Sequence, residues 1–333
     1  MMMRTKLVFA VCLMALVLAG CATQSVNMTI LRPAEVNLHD YSQIAVGDIW
    51  GPPQQWFRAQ DIRDAFTARL IESEYFESVL DRQYLQMIMQ EYQLGWSGYL
   101  DETTAPQLGG MIGAAAFVFG RITRDEYKEE ISSETVTKKD DDDVEYEVLK
   151  HTRTGTHYLG VNVQIIDIQT TQILAIKELR TQFSDSRSAE DRQPPKIDRD
   201  NLYRICVDDL SHQFIRTVAP YYENVSVTYE LDKKYLPELK TAHQMVVVGE
   251  FERAIEILQS ATFKPGIPDK SRAKAFYDLG LIQMYSGDYD NSLANLLEAL
   301  ELVPKSSRYA RAIQTCRDER YKADQVRRQM EGF

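Results

Sequence analysis

Any chemistry in this 333-residue chain would have to come from five histidines, four cysteines and a surplus of carboxylates. His39, His151, His157, His212 and His243 are scattered, and none stands in the His-Glu-x-x-His spacing that points two imidazoles at one zinc ion. No Gly-x-Ser-x-Gly elbow and no phosphate loop occurs. Asp140 to Asp143 form a carboxylate run suited to calcium in charge, but the glycine and distal glutamate of a calcium loop are missing. Asp61, Asp64, Glu72 and Glu74 fit the solvated face of an amphipathic helix. The residues call for no metal, no cofactor and no catalytic group, so the chain reads as a non-enzyme.

One cysteine has a covalent fate written around it. Arg4 and Lys6 precede the apolar run Leu7-Val-Phe-Ala-Val-Cys-Leu-Met-Ala-Leu-Val-Leu18, which is too short to span a bilayer stably. Leu18-Ala-Gly-Cys21 follows and resembles the bacterial lipobox, where lipid is placed on the cysteine and the chain is cut just before it. Residues 1–20 are then a lipoprotein signal peptide, and 21–39 a lipidated polar tether. Ala22, rather than Asp, after the cysteine implies the outer membrane. Each buried methylene of the lipid contributes about 0.8 kcal/mol of membrane affinity. Cys206 and Cys316 remain as two small buried apolar residues, the reading preferred here over a disulfide between them.

The net charge is −11, and losing Arg4 and Lys6 with the signal takes it to −13. An acidic chain does not attract phosphate backbones, which argues against nucleic acid as a partner. An apolar fraction of 44% suits a globular protein with a core, and the length suits about two domains.

The elements that would position these residues centre on Ala105 to Thr123. Leu108, Met111 and Ile112 have helical spacing, Gly113 stops the helix, and the apolar run Ala115 to Gly120 reads as a central strand. Upstream, Tyr41–Trp50 reads as a strand, Asp61–Ser73 as a helix and Glu74–Leu80 as a short strand. Asp81 caps a helix over 82–93, and Asp101 opens the next. Downstream, the strand continues to Tyr127, and Glu129–Thr156 is highly polar, its carboxylate run reading as a solvated loop between two arms of a hairpin. Tyr158–Ile168 and Gln172–Arg180 form a hairpin, with Thr181–Arg199 polar after it. Asp200–Tyr221 is a helix with Leu202, Ile205, Cys206, Leu210, Phe214 and Val218 inward, and Val225–Tyr229 closes the domain as a strand.

Phe76-Glu-Ser-Val-Leu-Asp-Arg through Ser97-Gly98, continued by Ala105, Leu108-Gly, Ile112-Gly-Ala and the strand closing on Gly120, resembles the curli secretion lipoprotein (CsgG) family. Related envelope lipoproteins, including activators of peptidoglycan synthases, share the pattern. The resemblance covers residues 40–230 and implies a mixed α/β (α+β) sheet domain with helices on its faces. The family's ring-forming habit implies a homo-oligomer. In a secretion pore, the segments 129–156 and 181–199 would be membrane hairpins. Here only Val144, Tyr146 and Val148 alternate, which departs from a membrane strand.

The remainder, 233–333, reads as all-α. Gly249-Glu-Phe-Glu-Arg-Ala and Gly287-Asp-Tyr-Asp-Asn-Ser are related copies 38 residues apart. With Phe276, Leu279-Gly280, Ala299 and Pro304 they resemble tetratricopeptide (TPR) repeats, although Gln283 stands where an aromatic is expected. The resemblance implies a concave groove for a peptide or protein, with Phe276, Gln283 and Tyr285 as groove candidates. The expected function is an outer-membrane-anchored, non-catalytic periplasmic scaffold or accessory factor in envelope assembly or export. The alternatives are an oligomeric curli-type secretion channel and an activator of a peptidoglycan synthase.

Overall fold

The computed structural model describes residues 23–51, 56–80 and 115–331. The signal segment, Cys21, the helices expected over 82–93 and 101–113, and Gly113 lie outside the described residues. The chain divides into two units, one of residues 33–221 with 328–333, the other of 1–32 with 222–327.

The first unit is built on a five-stranded sheet. Its strands are β2 (Gln43–Trp50), β3 (Ser78–Leu80), β4 (Ala115–Lys139), β5 (Glu145–Asp167) and β6 (Ile173–Glu190). The order is β3-β2-β4-β5-β6, parallel from β3 to β4 and antiparallel from β4 to β6. The run Ala115–Phe119 is the buried central strand that its composition predicts. Helices α1 (Trp56–Ser73) and α2 (Arg199–Val218) cover one face. Ile62, Phe66 and Leu70 of α1 meet Cys206, Leu210, Phe214 and Val218 of α2 over Ile44, Val46, Val161, Val163 and Ile165. Phe66 and Phe214 stack with centroids 4.2 Å apart. Ile205, expected inward, is exposed. Ala45, Leu80, Phe117, Phe119 and Ile166 form a separate cluster that follows the strand alternation to the opposite face. Asp198 caps α2 by accepting from the Asn201 N–H.

The largest departure from the sequence reading lies beyond Tyr127. The expected hairpin is there, but its arms are far longer than the sequence indicated. β4 runs for 25 residues and pairs with β5 as far as Lys139↔Glu145. β6 likewise extends into the polar segment after Arg180, pairing Glu190 with Lys150. The three strands make a long arm with polar side chains on both faces. Thr152–Ser188, Thr154–Ser186 and Thr156–Ser184 are hydroxyl pairs at 2.8–2.9 Å across β5 and β6. Lys150–Glu134 and Lys138–Glu190 add ion pairs. Cross-strand partners of this kind stabilise a sheet without burial. Asp140 turns the tip, its Oδ1 accepting from the Asp142 and Val144 N–H groups, while Asp143 takes φ 62°. The carboxylate run is therefore a hairpin turn. After β6 the chain returns as an extended loop over 191–198. Ile197 lies over Gly155, where an added Cβ would sit 3.0 Å from it.

In the second unit, β1 (Thr23–Arg32) pairs with β7 (Tyr221–Glu230). The expected tether is thus largely a strand, and the expected closing strand of the sheet domain pairs with it. Val26, Met28, Val227 and Tyr229 share a core with helices α3 (Glu238–Val247), α4 (Phe251–Thr262), α5 (Asp269–Tyr285), α6 (Tyr289–Leu302) and α7 (Ser307–Met330). Gly249 and Gly287, the matched positions of the two copies, both have positive φ, 83° and 92°, and each precedes the start of a helix by two residues. Arg32 is held between Glu223, at 2.7 Å, and Glu319.

Candidate functional site

Besides the Arg32 ion pairs, two clusters of ionisable side chains stand out among the described residues. At the root of the arm, β4 supplies Asp125, β5 His157, α1 Arg58 and α2 Tyr203. Asp125 Oδ1 accepts from Arg58 Nη1 at 2.7 Å and lies 3.0 Å from His157 Nε2. The Arg58 guanidinium stacks on the Tyr203 ring at 4.3 Å, and the Tyr203 hydroxyl donates to the Arg58 carbonyl. Burial raises the Tyr203 phenol far above its ordinary range. The Cys206 thiol lies against the His157 carbonyl, and burial pushes it up to about 11. Such a thiol is protonated at neutral pH and is not a nucleophile. Asp125 Oδ2 and His157 Nδ1 are buried without a partner. Neither Asp125 nor His157 lines the two cavities found in this unit. The cluster joins both helices to the sheet.

The nearer cavity, about 420 Å³, lies between α1 and α2 and is bordered by Asp61, Arg69, Glu72, Tyr203, Arg204 and Asp208. Arg69 reaches Glu72 and Asp208, each at 2.7 Å, so its charge is already matched. Asp61 borders this cleft, Asp64 pairs with Arg63 at 3.3 Å, and Glu74 takes φ 51° just past the end of α1.

The second buried cluster belongs to the helical unit. His243 Nε2 lies 2.8 Å from Asp278 Oδ2, and Asp278 Oδ1 accepts the Glu230 N–H at 2.9 Å. Tyr229 stacks on His243 at 4.7 Å. Tyr309 and Arg308 both donate to the Glu230 carboxylate. Burial lifts the Asp278 carboxyl to about 6, against the pull of His243. This network anchors β7 to α3, α5 and α7.

The sequence-based candidates fall as follows. Cys21 is outside the described residues. Gln283 is buried and its Oε1 accepts from Asn295 Nδ2 at 2.7 Å, while Phe276 and Tyr285 are half-buried against the helical core. All three serve packing on α5, and none projects freely into solvent. Cys206 and Cys316 are both free and buried. Among the described residues, no group of three or more His, Cys, Asp or Glu could hold a metal ion, and no helix is long and apolar enough to cross a membrane. Sequence spacing could not reveal the Asp125–His157–Arg58 cluster, because its members lie on three elements brought together only by packing.

Among solved structures, the chain is similar to the lipoprotein GNA1162 from Neisseria meningitidis, at 12% identity over 51% of this chain and 96% of that one, with a TM-score of 0.28. It is similar to the PelC dodecamer from Paraburkholderia phytofirmans at 10% identity, covering 59% and 98%, with a TM-score of 0.27. A minor lipoprotein from Acinetobacter baumannii gives 14% identity, 53% and 91% coverage, and a TM-score of 0.22. No curated protein matches the chain. Residues 37–190, from just before β2 to the end of β6, match the family model described as the curli production assembly/transport component CsgG.

Proposed function

We propose that this chain is a lipid-anchored accessory protein of the bacterial envelope, held at the periplasmic face of the outer membrane through Cys21, and that it acts in assembly or export by binding proteins rather than by catalysis. The family match over 37–190 supports the envelope setting. The observation that carries the accessory reading over the channel reading is the arm of β4, β5 and β6. A bilayer-crossing stave needs one face apolar over about nine to eleven residues. One face of the arm instead presents Thr152, Thr154 and Thr156 beside Ser184, Ser186 and Ser188, and the other Arg153, Glu129 and Arg187. β6 is paired on one side among the described residues, and pairing along that edge offers copies of the chain a route to a homo-oligomer. The helical unit is the proposed recruiting module, as its TPR-like turns at Gly249 and Gly287 suggest; exposed Val248 and Phe263 are its apolar contacts with a partner.

Membrane fractionation and planar-bilayer recording test this together. The chain should sediment with outer membranes, Cys21→Ala should move to the soluble fraction, and neither form should conduct. Single-channel conductance from the purified chain would overturn the accessory reading. Cross-linked pull-downs should lose partners on Val248→Ser with Phe263→Ser. Unchanged capture would remove the recruiting role from the helical unit.

A further inference from the structure

A larger cavity of about 660 Å³ opens on the sheet face opposite α1 and α2, at the root of the arm. Its floor is set by a register irregularity. Between Ile122 and Arg124 the pairing with β5 shifts, leaving Thr123 as the extra residue of a bulge. Gly160 lies opposite, and a Cβ there would stand 2.8 Å from Thr123 Oγ1. The bulge thus requires a residue without a side chain, and the sheet surface dips at that point.

The same rung continues on both sides of the glycine. Arg124 pairs with Gly160 on β4, and Arg180 pairs with Gly160 on β6. Directly paired residues share a sheet face, so two guanidinium side chains flank a bare floor, their Cα atoms about two strand spacings, or roughly 10 Å, apart. Each arginine is long enough to close over a group resting on Gly160. Tyr158, two rungs on and next on this face, forms a wall, with Arg124 stacked on its ring at 3.9 Å and Lys128 at 5.7 Å. Gln182 supplies a neutral polar edge.

The charges held here are exchangeable. Arg124 bonds to Glu126 at 2.6 Å, Lys128 reaches the same carboxylate at 3.2 Å, and Arg180 bonds to Glu178 at 2.6 Å. Three cations therefore meet two carboxylates, on a chain whose net charge is −11. These pairs are solvent-exposed, with the Arg180 side chain 73% accessible, and exposed pairs contribute only about 0–1 kcal/mol each. An incoming oxyanion can displace the carboxylates at small cost and gain charge-assisted bonds from two planar forks.

We propose that this cavity is a binding site for an oxyanion, a carboxylate or phosphate group on a small polar molecule, held by Arg124 and Arg180 over Gly160 with the body of the ligand against Tyr158. It is independent of the accessory role and of the lipid anchor.

Calorimetric titration of the full chain in detergent at low ionic strength tests it, using inorganic phosphate, glucuronate and uncharged glucose as probes. At least one anion should bind saturably with Kd of about 1 mM or tighter, and glucose should not. Binding by phosphate alone assigns a phosphate group, and binding by glucuronate alone assigns a carboxylate. Arg124→Gln and Arg180→Gln should each weaken binding about tenfold, and Glu178→Gln should tighten it by freeing Arg180. Arg180 is exposed, so its replacement leaves the fold intact. Failure of both anions to bind, equal binding of glucose, or unchanged affinity in both arginine variants would overturn the proposal.

Discussion

Adding one methyl group at Gly280 tests how closely α5 and α6 pack. A Cβ at this position would stand 2.7 Å from Leu296 Cγ, 2.9 Å from its Cδ2 and 3.1 Å from the Ser292 carbonyl. Carbon atoms pack at about 3.5–4.0 Å, so the overlap approaches 1 Å. Leu296 and Ser292 are fully buried, and Ser292 Oγ donates to the Gly280 carbonyl at 2.7 Å, which holds the helices at this spacing. Gly280→Ala gains about 1 kcal/mol of helix propensity. Overpacking costs about 1–3 kcal/mol, so the net change is a loss of roughly 0–2 kcal/mol. Leu296→Ala alone should lose about 2–5 kcal/mol. In the double variant the new methyl enters the space that the leucine leaves, so the combined loss should fall short of the sum by about 1 kcal/mol or more.

Urea unfolding followed by far-ultraviolet circular dichroism reads mainly the helical unit, which holds five of the seven described helices. Tryptophan fluorescence reads the other unit, since Trp50, Trp56 and Trp96 all lie outside 222–327. The dichroism transition should move, and the fluorescence transition should not. Strict additivity of the two substitutions, or stabilisation by the full propensity gain in Gly280→Ala, would refute the close approach of these helices.

Asp278 gives a pH dependence. Its folded pKa of about 6 lies above the ordinary carboxylate value, so the folded form binds the proton more tightly than the unfolded chain. Its contribution to stability is full below the unfolded value near 3.8 and is lost as pH rises through about 6. Denaturant midpoints measured across that window should fall more steeply in the native chain than in Asp278→Asn, and parallel curves would contradict the assignment. Asp125→Ala strands a half-buried arginine and a buried histidine, and should lower the fluorescence-detected stability by about 3 kcal/mol. Gly249→Ala and Gly287→Ala meet no neighbour within 4 Å, so each should cost only the left-handed backbone penalty of about 1–2 kcal/mol, read from the dichroism midpoint. Cys206 and Cys316, both buried with raised thiol pKa, should resist alkylation until denaturant is added; labelling in the native chain would show that one is accessible.

The sequence by itself determined the elements whose burial follows a period. The run Ala115–Phe119, the helical stripe Ile62, Phe66 and Leu70 and the inward face of α2 other than Ile205 were legible, because each matches one backbone geometry to one apolar pattern, and Gly249 and Gly287 were legible as matched positions of two copies. The CsgG resemblance was legible from Phe76 to Gly120, and the family match over 37–190 bears it out for that part of the 40–230 it was read over. Only the tertiary structure decided the rest. The arm carries little alternation because most of both faces is exposed; its strands rest on ladder bonds and on hydroxyl and ionic pairs between residues 16 to 52 positions apart, which no local window sees. β1 became a strand because Val26 and Met28 find Val227 and Tyr229 some two hundred residues away. The Arg124–Gly160–Arg180 rung exists only through strand register, and the Asp125–His157–Arg58 cluster only through helix packing on the sheet. Periodicity records which side of an element avoids water, whereas register and packing decide which side chains meet.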